Sequence, residues 1–102
     1  MRIEKKVLND ALRILGKVVC QTSTVEVFRG VRFVGIPGDV LAMATDSVEQ
    51  VSLRIDAEVE GTEDFVVEYR ALREMVRTAK GSRIELKGRK VEYPALEAVP
   101  AD

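Results

Sequence analysis

The residues of this chain whose types and spacing could do chemistry are cations at helical intervals. Residues 70–80 read RALREMVRTAK, and on a period of 3.6 residues the apolar side chains fall on one face and the cations on another. The cations of this stretch are Arg70, Arg73, Arg77 and Lys80. Guanidinium and ammonium groups bind phosphate oxygens. The stripe is therefore either a solvated helix face or a phosphate-binding one.

Most catalytic chemistry is excluded by composition. The chain has no histidine and one cysteine, Cys20, so it has no Ser-His-Asp or Cys-His arrangement and no paired-cysteine metal site. It also contains neither GxGxxG nor GxxxxGK. Cys20 follows an apolar helical run and is expected to be a small buried hydrophobe. We therefore expect no enzyme activity, no cofactor and no metal.

Length and charge limit how the chain could meet a partner. Its 102 residues predict a single domain, 1–102, and its 16 Lys and Arg nearly balance 17 Asp and Glu. Binding to phosphate thus requires a segregated basic face. The N-terminus lacks the apolar core of a signal peptide, and no stretch approaches the roughly 20 apolar residues of a membrane span. We expect a cytoplasmic protein without a membrane partner.

The elements that must position the cations follow from the hydrophobic period. A period near 3.6 predicts helices over 7–19 and 70–80, and a period of two predicts strands. Ile36 to Asp39, IPGD, is a type II turn signal, and Gly81 is a helix stop. The first predicted strands cover 1–6, the segment from Val25 to the turn, 40–45, 50–60 and 65–69. Further strands are predicted around Ile84 and Leu86 and, after a turn at Gly88-Arg89, around Val91 and Tyr93, followed by a short edge strand at 95–99.

The order of elements repeats. An offset of 64 residues aligns Leu8 with Leu72 and Arg13 with Arg77, and it also pairs Lys6 with Arg70. The chain is predicted to be α+β, with pseudo-repeats at about 1–62 and 63–102 whose two helices lie on one face of antiparallel sheets. Arg13 and Lys17 would then join the cations of 70–80 in one patch, apart from the acids of 56–64. A sequence-indifferent DNA surface needs such a patch.

The sequence resembles the first domain of the bacterial DNA polymerase III beta subunit, the sliding clamp. The family's T-[IL]-P-[IL]-L-x-G-[IL] strand is matched by Thr24, Val25, Val27, Phe28, Gly30 and Val31, and its T-D-x-E step by Thr45, Asp46 and, one place later, Glu49. Leu8, Ala11 and Leu12 in the first helix and Tyr69, Arg70 and Leu72 at the second also fit. The likeness extends as far as Lys87. Glu26 replaces the usual proline, and Thr22-Ser23 replaces a basic residue and proline.

The resemblance implies a DNA-clamp fold, a duplicated βαβββ unit, six of which make a ring around duplex DNA with helices lining the hole. It implies a non-catalytic processivity factor in DNA replication, whose partners are duplex DNA, bound non-specifically, DNA polymerase or other replication proteins, and further copies joined through sheet edges. The DNA-binding residues would be Arg13, Lys17, Arg70, Arg73, Arg77 and Lys80. The alternative is a clamp-fold module that binds a clamp or another replication protein without encircling DNA.

Overall fold

A computed structural model describes residues 1–20, 22–46 and 48–87. These described residues form two α-helices and antiparallel strands, which confirms the α+β prediction. In chain order the elements are β1 (Arg2–Glu4), α1 (Lys5–Leu15), a 3₁₀ helix (Glu26–Arg29), β2 (Gly30–Ile36), β3 (Asp39–Thr45), β4 (Gln50–Ile55), β5 (Glu63–Glu68), α2 (Tyr69–Thr78) and β6 (Arg83–Glu85). The strands predicted around Val91 and over 95–99, and the turn at Gly88-Arg89, lie outside the described residues.

The strands form two sheets. One has the order β4-β3-β2-β5 and the other pairs β1 with β6, with every pairing antiparallel. β2 and β3 make a hairpin with Ile36 opposite Asp39, so that Pro37 and Gly38 alone close the turn. Gly38 has a φ of 88°. This is the positive φ that a type II turn requires at its third position, which confirms the predicted turn.

The two halves of the chain exchange strands. Ile3 of β1 pairs with Ile84 of β6, and Val67 of β5, 64 residues after Ile3, pairs with Val31 of β2. β1, which precedes α1, therefore lies beside β6, which follows α2. In the same way β5, which precedes α2, lies beside β2, the first strand after α1. Each helix begins directly after its strand, at Lys5 and at Tyr69, which are again 64 residues apart.

Both helices pack their apolar sides on the inner faces of the sheets in one core. Leu8 and Leu15 of α1 and Leu72 of α2 are at most 1% exposed, and Phe33 stacks on Phe65 beneath them with ring centroids 5.5 Å apart. Each helix has an apolar stripe at intervals of three and four residues, and burying that stripe stabilises these short helices far more than their propensity does. The opposite helix faces are left to the polar and basic side chains.

Several strands are shorter than their alternation predicts, because a strand ends where its partner ends. The strand predicted from Val25 begins only at Gly30, which pairs with Glu68, the last residue of β5 before α2. Residues 26–29 instead form a 3₁₀ helix, with Phe28 N donating to Val25 O at 3.0 Å. The prediction of a strand over 25–29 is therefore wrong.

The strand predicted over 50–60 ends at Ile55, which lies opposite Val40 beside the β2-β3 turn. Beyond it only Glu58 bridges to Arg2 of β1. The predicted inward residues of this segment are nevertheless half-buried and pack on the core, as the alternation indicated. They are Val51, Leu53, Ile55, Ala57 and Val59.

The helix bounds also differ from the predicted ones. α1 spans Lys5–Leu15, not 7–19, because Lys17 N and Val18 N donate three residues back, to Ile14 O and Leu15 O, and tighten the chain into a turn. α2 ends at Thr78, before Gly81, because Ala79 has an extended ψ of 131° that turns the chain toward β6. Val18, which follows the end of α1, is still buried, at 7% exposure. The apolar spacing in the sequence therefore extends past the last residue of the helix.

Candidate functional site

The two helices lie side by side and run antiparallel, as two hydrogen bonds at their ends show. Lys5 Nζ at the start of α1 donates to Ala79 O at the end of α2, at 3.0 Å. Tyr69 Oη at the start of α2 donates to Leu12 O near the end of α1, at 3.2 Å. Lys5 and Tyr69 are equivalent under the 64-residue offset. Each helix is thus tied by its first residue to the last turns of the other.

An open groove runs between the helices on the side away from the sheets. Its described lining consists of Asn9, Leu12, Arg13, Gly16, Lys17, Tyr69, Arg70, Arg73, Glu74, Val76 and Arg77. Five of the six cations singled out from the sequence lie in this one groove, and Glu74 is the only carboxylate in that described lining. Lys80 is exposed but lies beyond the end of α2 and does not line the groove. We call this surface the helix groove.

Two of the groove arginines are paired within their own helix. Arg77 Nε donates to Glu74 Oε2 at 3.1 Å, three residues away, and this hydrogen bond lowers the pKa of Glu74 and raises that of Arg77. Arg13 Nη2 lies 3.8 Å from Asp10 Oδ1 in an exposed pair, which adds little stability. Asp10 and Glu74 are 64 residues apart and occupy equivalent positions in the two helices. Each helix therefore neutralises one of its arginines at the same position.

The remaining groove cations have no carboxylate partner in the described part of the chain. Lys17 and Arg70 are exposed and make no ion pair there, and Arg73 has its guanidinium carbon 5.9 Å from the centre of the Tyr69 ring. Neither helix has an acidic residue in its first turn. Arg70 lies in that turn, where the helix dipole disfavours a cation by about 0.3–1 kcal/mol. The backbone N–H groups at a helix N-terminus can bind anions, and Arg70 lies beside those of α2.

One exposed cation that was not among the six predicted residues lies beside the helix groove, outside its described lining. Lys6 is exposed in the first turn of α1 and shares a depression with Asn9 and Arg77. The signal that could have found it was the 64-residue offset, which places Lys6 opposite Arg70. Its position extends the basic surface beyond the helix groove toward the start of α1.

The acids of residues 56–64 lie away from the helix groove. Glu58 Oε1 accepts from Arg83 at 2.8 Å, and Asp64 forms a two-pronged ion pair with Arg32, with distances of 2.9 and 2.7 Å. Glu58 and Glu63 line a separate depression beside β1 and the β2-β3 turn. Glu58 and Glu63 therefore lie on a different surface from the helix groove, in a chain whose formal net charge is −1.

The described residues hold no metal-type cluster: three or more His, Cys, Asp or Glu side chains do not come together anywhere in residues 1–20, 22–46 and 48–87. No helix in that part of the structure is long and apolar enough to cross a membrane. Thr45 and Asp46 lie at the β3-β4 turn, where Asp46 Oδ1 accepts from Val48 N and Glu49 N at 2.8 and 2.7 Å. They are turn formers.

The fold is that of a sliding-clamp domain, and the prediction made from the family resemblance is confirmed at this level. No protein-family model and no curated protein matches the sequence. Among solved structures, the DNA polymerase III beta subunit of Thermotoga maritima superposes with a TM-score of 0.72 at 24% identity, over 85% of this chain and 24% of that one.

Two other solved clamps give similar values. The DNA polymerase sliding clamp of Bacillus subtilis has a TM-score of 0.70 at 20% identity, over 90% of this chain and 28% of its own. The Helicobacter pylori beta clamp bound to a DNA ligase peptide has a TM-score of 0.66 at 15% identity, over 85% and 25%. The chain spans about a quarter of the length of these clamps.

Proposed function

We propose that this chain is a non-catalytic clamp domain that contacts the backbone of duplex DNA, without regard to sequence, through the helix groove. The observation that supports the proposal is the convergence of Arg13, Lys17, Arg70, Arg73 and Arg77 on one groove with a single described carboxylate. Backbone contacts of this kind position a protein on DNA but carry no sequence information. Lys80 is retained as an outlying contact, and Lys6 is added.

Two features of the surface favour phosphate over bases. The groove offers cations from two antiparallel helices, and the aromatic ring in its described lining, that of Tyr69, is 8% exposed and therefore has little surface for stacking a base. The overall charge of −1 limits binding through bulk attraction, so affinity must come from this one face. We expect an affinity that falls steeply with salt as counterions are released.

The decisive test removes two charges from the groove. We expect Arg70→Gln/Arg73→Gln to weaken binding to a duplex of random sequence and to reduce the slope of log K against log salt concentration by about 1.8, because each phosphate contact contributes about 0.9. Fluorescence anisotropy over a salt series measures both quantities. The melting temperature should stay close to that of the wild type, since both side chains are exposed.

The matched control is Arg54→Gln/Arg83→Gln. It removes the same charge from the outer sheet surface, where Arg54 pairs with Asp39 and Arg83 with Glu58. Its slope should equal that of the wild type. Equal losses in the two double variants would contradict a specific DNA face, and a wild-type chain without salt-dependent binding would contradict DNA binding altogether.

A second candidate is a clamp-fold module that binds another replication protein through a sheet edge. The observation that favours it is β4, which pairs on one side with β3 and lies at the edge of the described sheet. A strand edge with half-buried apolar residues suits strand addition by a peptide or by another copy. One of the clamps with the same fold is bound to a DNA ligase peptide.

Mass in solution separates the two candidates. A ring of about six copies, as the resemblance implies, together with salt-dependent DNA binding supports the clamp, and light scattering with and without duplex DNA measures both. A monomer or dimer that ignores DNA supports the interaction module. For both candidates we propose a cytoplasmic replication protein, and for the clamp one that forms oligomers through its sheet edges.

A further inference from the structure

Tyr69 occupies the joint between the two helices. It is the first residue of α2 and is 8% exposed, and its hydroxyl donates to Leu12 O at 3.2 Å. The same carbonyl accepts from Gly16 N, at 2.9 Å. The ring therefore lies against the end of α1, beneath the cations of the helix groove.

Gly16 is explained by this ring. Its φ of −61° and ψ of −17° are open to any residue, so its backbone does not require glycine. A Cβ at this position, however, would lie 2.8 Å from Tyr69 Cζ and closer still to Tyr69 Oη. The absent side chain of Gly16 thus leaves the space that the tyrosine ring fills.

Arg73 lies one helical turn after Tyr69, above the same ring. Its guanidinium carbon is 5.9 Å from the ring centre, within the range of a cation–π interaction. Unlike Arg13 and Arg77, Arg73 makes no ion pair with a carboxylate of the described chain. Contact with a ring face orients a guanidinium without using its N–H donors in a salt bridge.

We propose that Tyr69 is the positioning residue of the helix groove, and that its ring, seated on Gly16, holds the Arg73 guanidinium in place for a phosphate of the ligand. The proposal rests on the proposed function for the nature of that ligand. A cation that is already ordered before binding loses less side-chain freedom when the phosphate arrives. Arg70, exposed and without a ring beneath it in the described structure, serves as the internal comparison.

The first test needs no DNA. In the wild-type protein, NMR should show the Arg73 δ-protons shifted upfield by the ring current and the Arg73 Nε–Hε group more ordered than that of Arg70. Tyr69→Phe should keep both signatures because the ring remains, whereas Tyr69→Leu should lose both. An Arg73 that is as mobile as Arg70 and unshifted in the wild type would overturn the proposal.

The second test is a double-mutant cycle on duplex binding. Tyr69→Leu and Arg73→Ala should each reduce the slope of log K against log salt concentration by about 0.9, whereas Tyr69→Phe should keep the wild-type slope. The double variant Tyr69→Leu/Arg73→Ala should have the same slope as Arg73→Ala alone. If Tyr69 had only a structural role, its substitution would reduce the slope further in the double variant. Additive reductions of the slope would therefore overturn the positioning role. If the wild type shows no salt-dependent binding while Arg73 is ordered by the ring, the DNA proposal fails and the positioning of Arg73 stands.

Discussion

At the scale of single residues, charged side chains have clear local tasks. Asp46 holds the β3-β4 turn with two backbone hydrogen bonds, while Glu74 restrains Arg77 within α2. Aspartate is a preferred turn residue because its carboxylate accepts hydrogen bonds from backbone N–H groups a few residues on. Glu74 and Arg77 lie three residues apart on one helix, the spacing at which opposite charges pair. The groove is therefore less positive than a count of its cations suggests.

The β3-β4 turn should make stability depend on pH. The hydrogen bonds from Glu49 N and Val48 N lower the pKa of Asp46 below its ordinary value of 3.8. A lowered pKa contributes stability that is fully present above the ordinary value and is lost as the pH falls through the folded one. Asp46→Asn keeps an acceptor but does not titrate. We expect the melting temperatures of the two proteins to differ at neutral pH and to converge in acid.

Thermal unfolding followed by circular dichroism across the acid range measures this difference. A gap between wild type and Asp46→Asn that stays constant down to the lowest pH would show that Asp46 does not carry the effect. The effect of acid on the other carboxylates cancels in the difference between the two proteins as long as Asp46 acts independently of them.

At the scale of elements, the limits of strands and helices depend on their neighbours. β2 begins where β5 ends and β4 ends where β3 begins, although the apolar alternation continues past both limits. The alternation reports which side chains face the core, and a ladder requires a partner backbone as well. This is why Val25 to Arg29 was predicted as a strand and is a 3₁₀ helix.

The β2-β3 hairpin provides a test at this scale. Gly38 has a φ of 88° and nothing within 4 Å of the position of an added Cβ, so its only constraint is conformational. Gly38→Ala should cost about 1–2 kcal/mol of unfolding free energy, and Gly38→Asn less, because asparagine tolerates positive φ. Urea denaturation measures the change.

Gly81→Ala is the matched control for the hairpin variant. Gly81 also has open space around an added Cβ, but its φ is not in the positive region. Its substitution should change stability by no more than about 0.5 kcal/mol. Equal costs at the two glycines would mean that the positive φ of Gly38 is not what the hairpin requires.

At the scale of the whole molecule, the two halves share one core and one basic surface. Leu8 and Leu72, equivalent under the offset, are 1% and 0% exposed and belong to the same apolar cluster. The exchange of first strands between the halves places each sheet under the helix pair. Neither half can therefore bury its apolar face without the other.

The shared core predicts cooperative unfolding. Leu8→Ala and Leu72→Ala should each cost about 2–5 kcal/mol and leave a single transition, since each opens a cavity in the same cluster. Ile14→Ala, at a residue 46% exposed, should cost less than either. Urea unfolding followed by circular dichroism and tyrosine fluorescence tests this. Two separate transitions in either core variant would mean that the halves fold independently.

The sequence by itself determined the class of fold and the presence of two amphipathic helices with basic outer faces, because these follow from apolar period and charge along the chain. Only the tertiary structure decided which cations share the helix groove. It turned Lys80 past the end of α2, brought Lys6 to the surface beside Arg77, and placed Tyr69 under Arg73. Spacing fixes which face of a helix a residue occupies, but the position of a second helix against that face depends on the packing of the whole core.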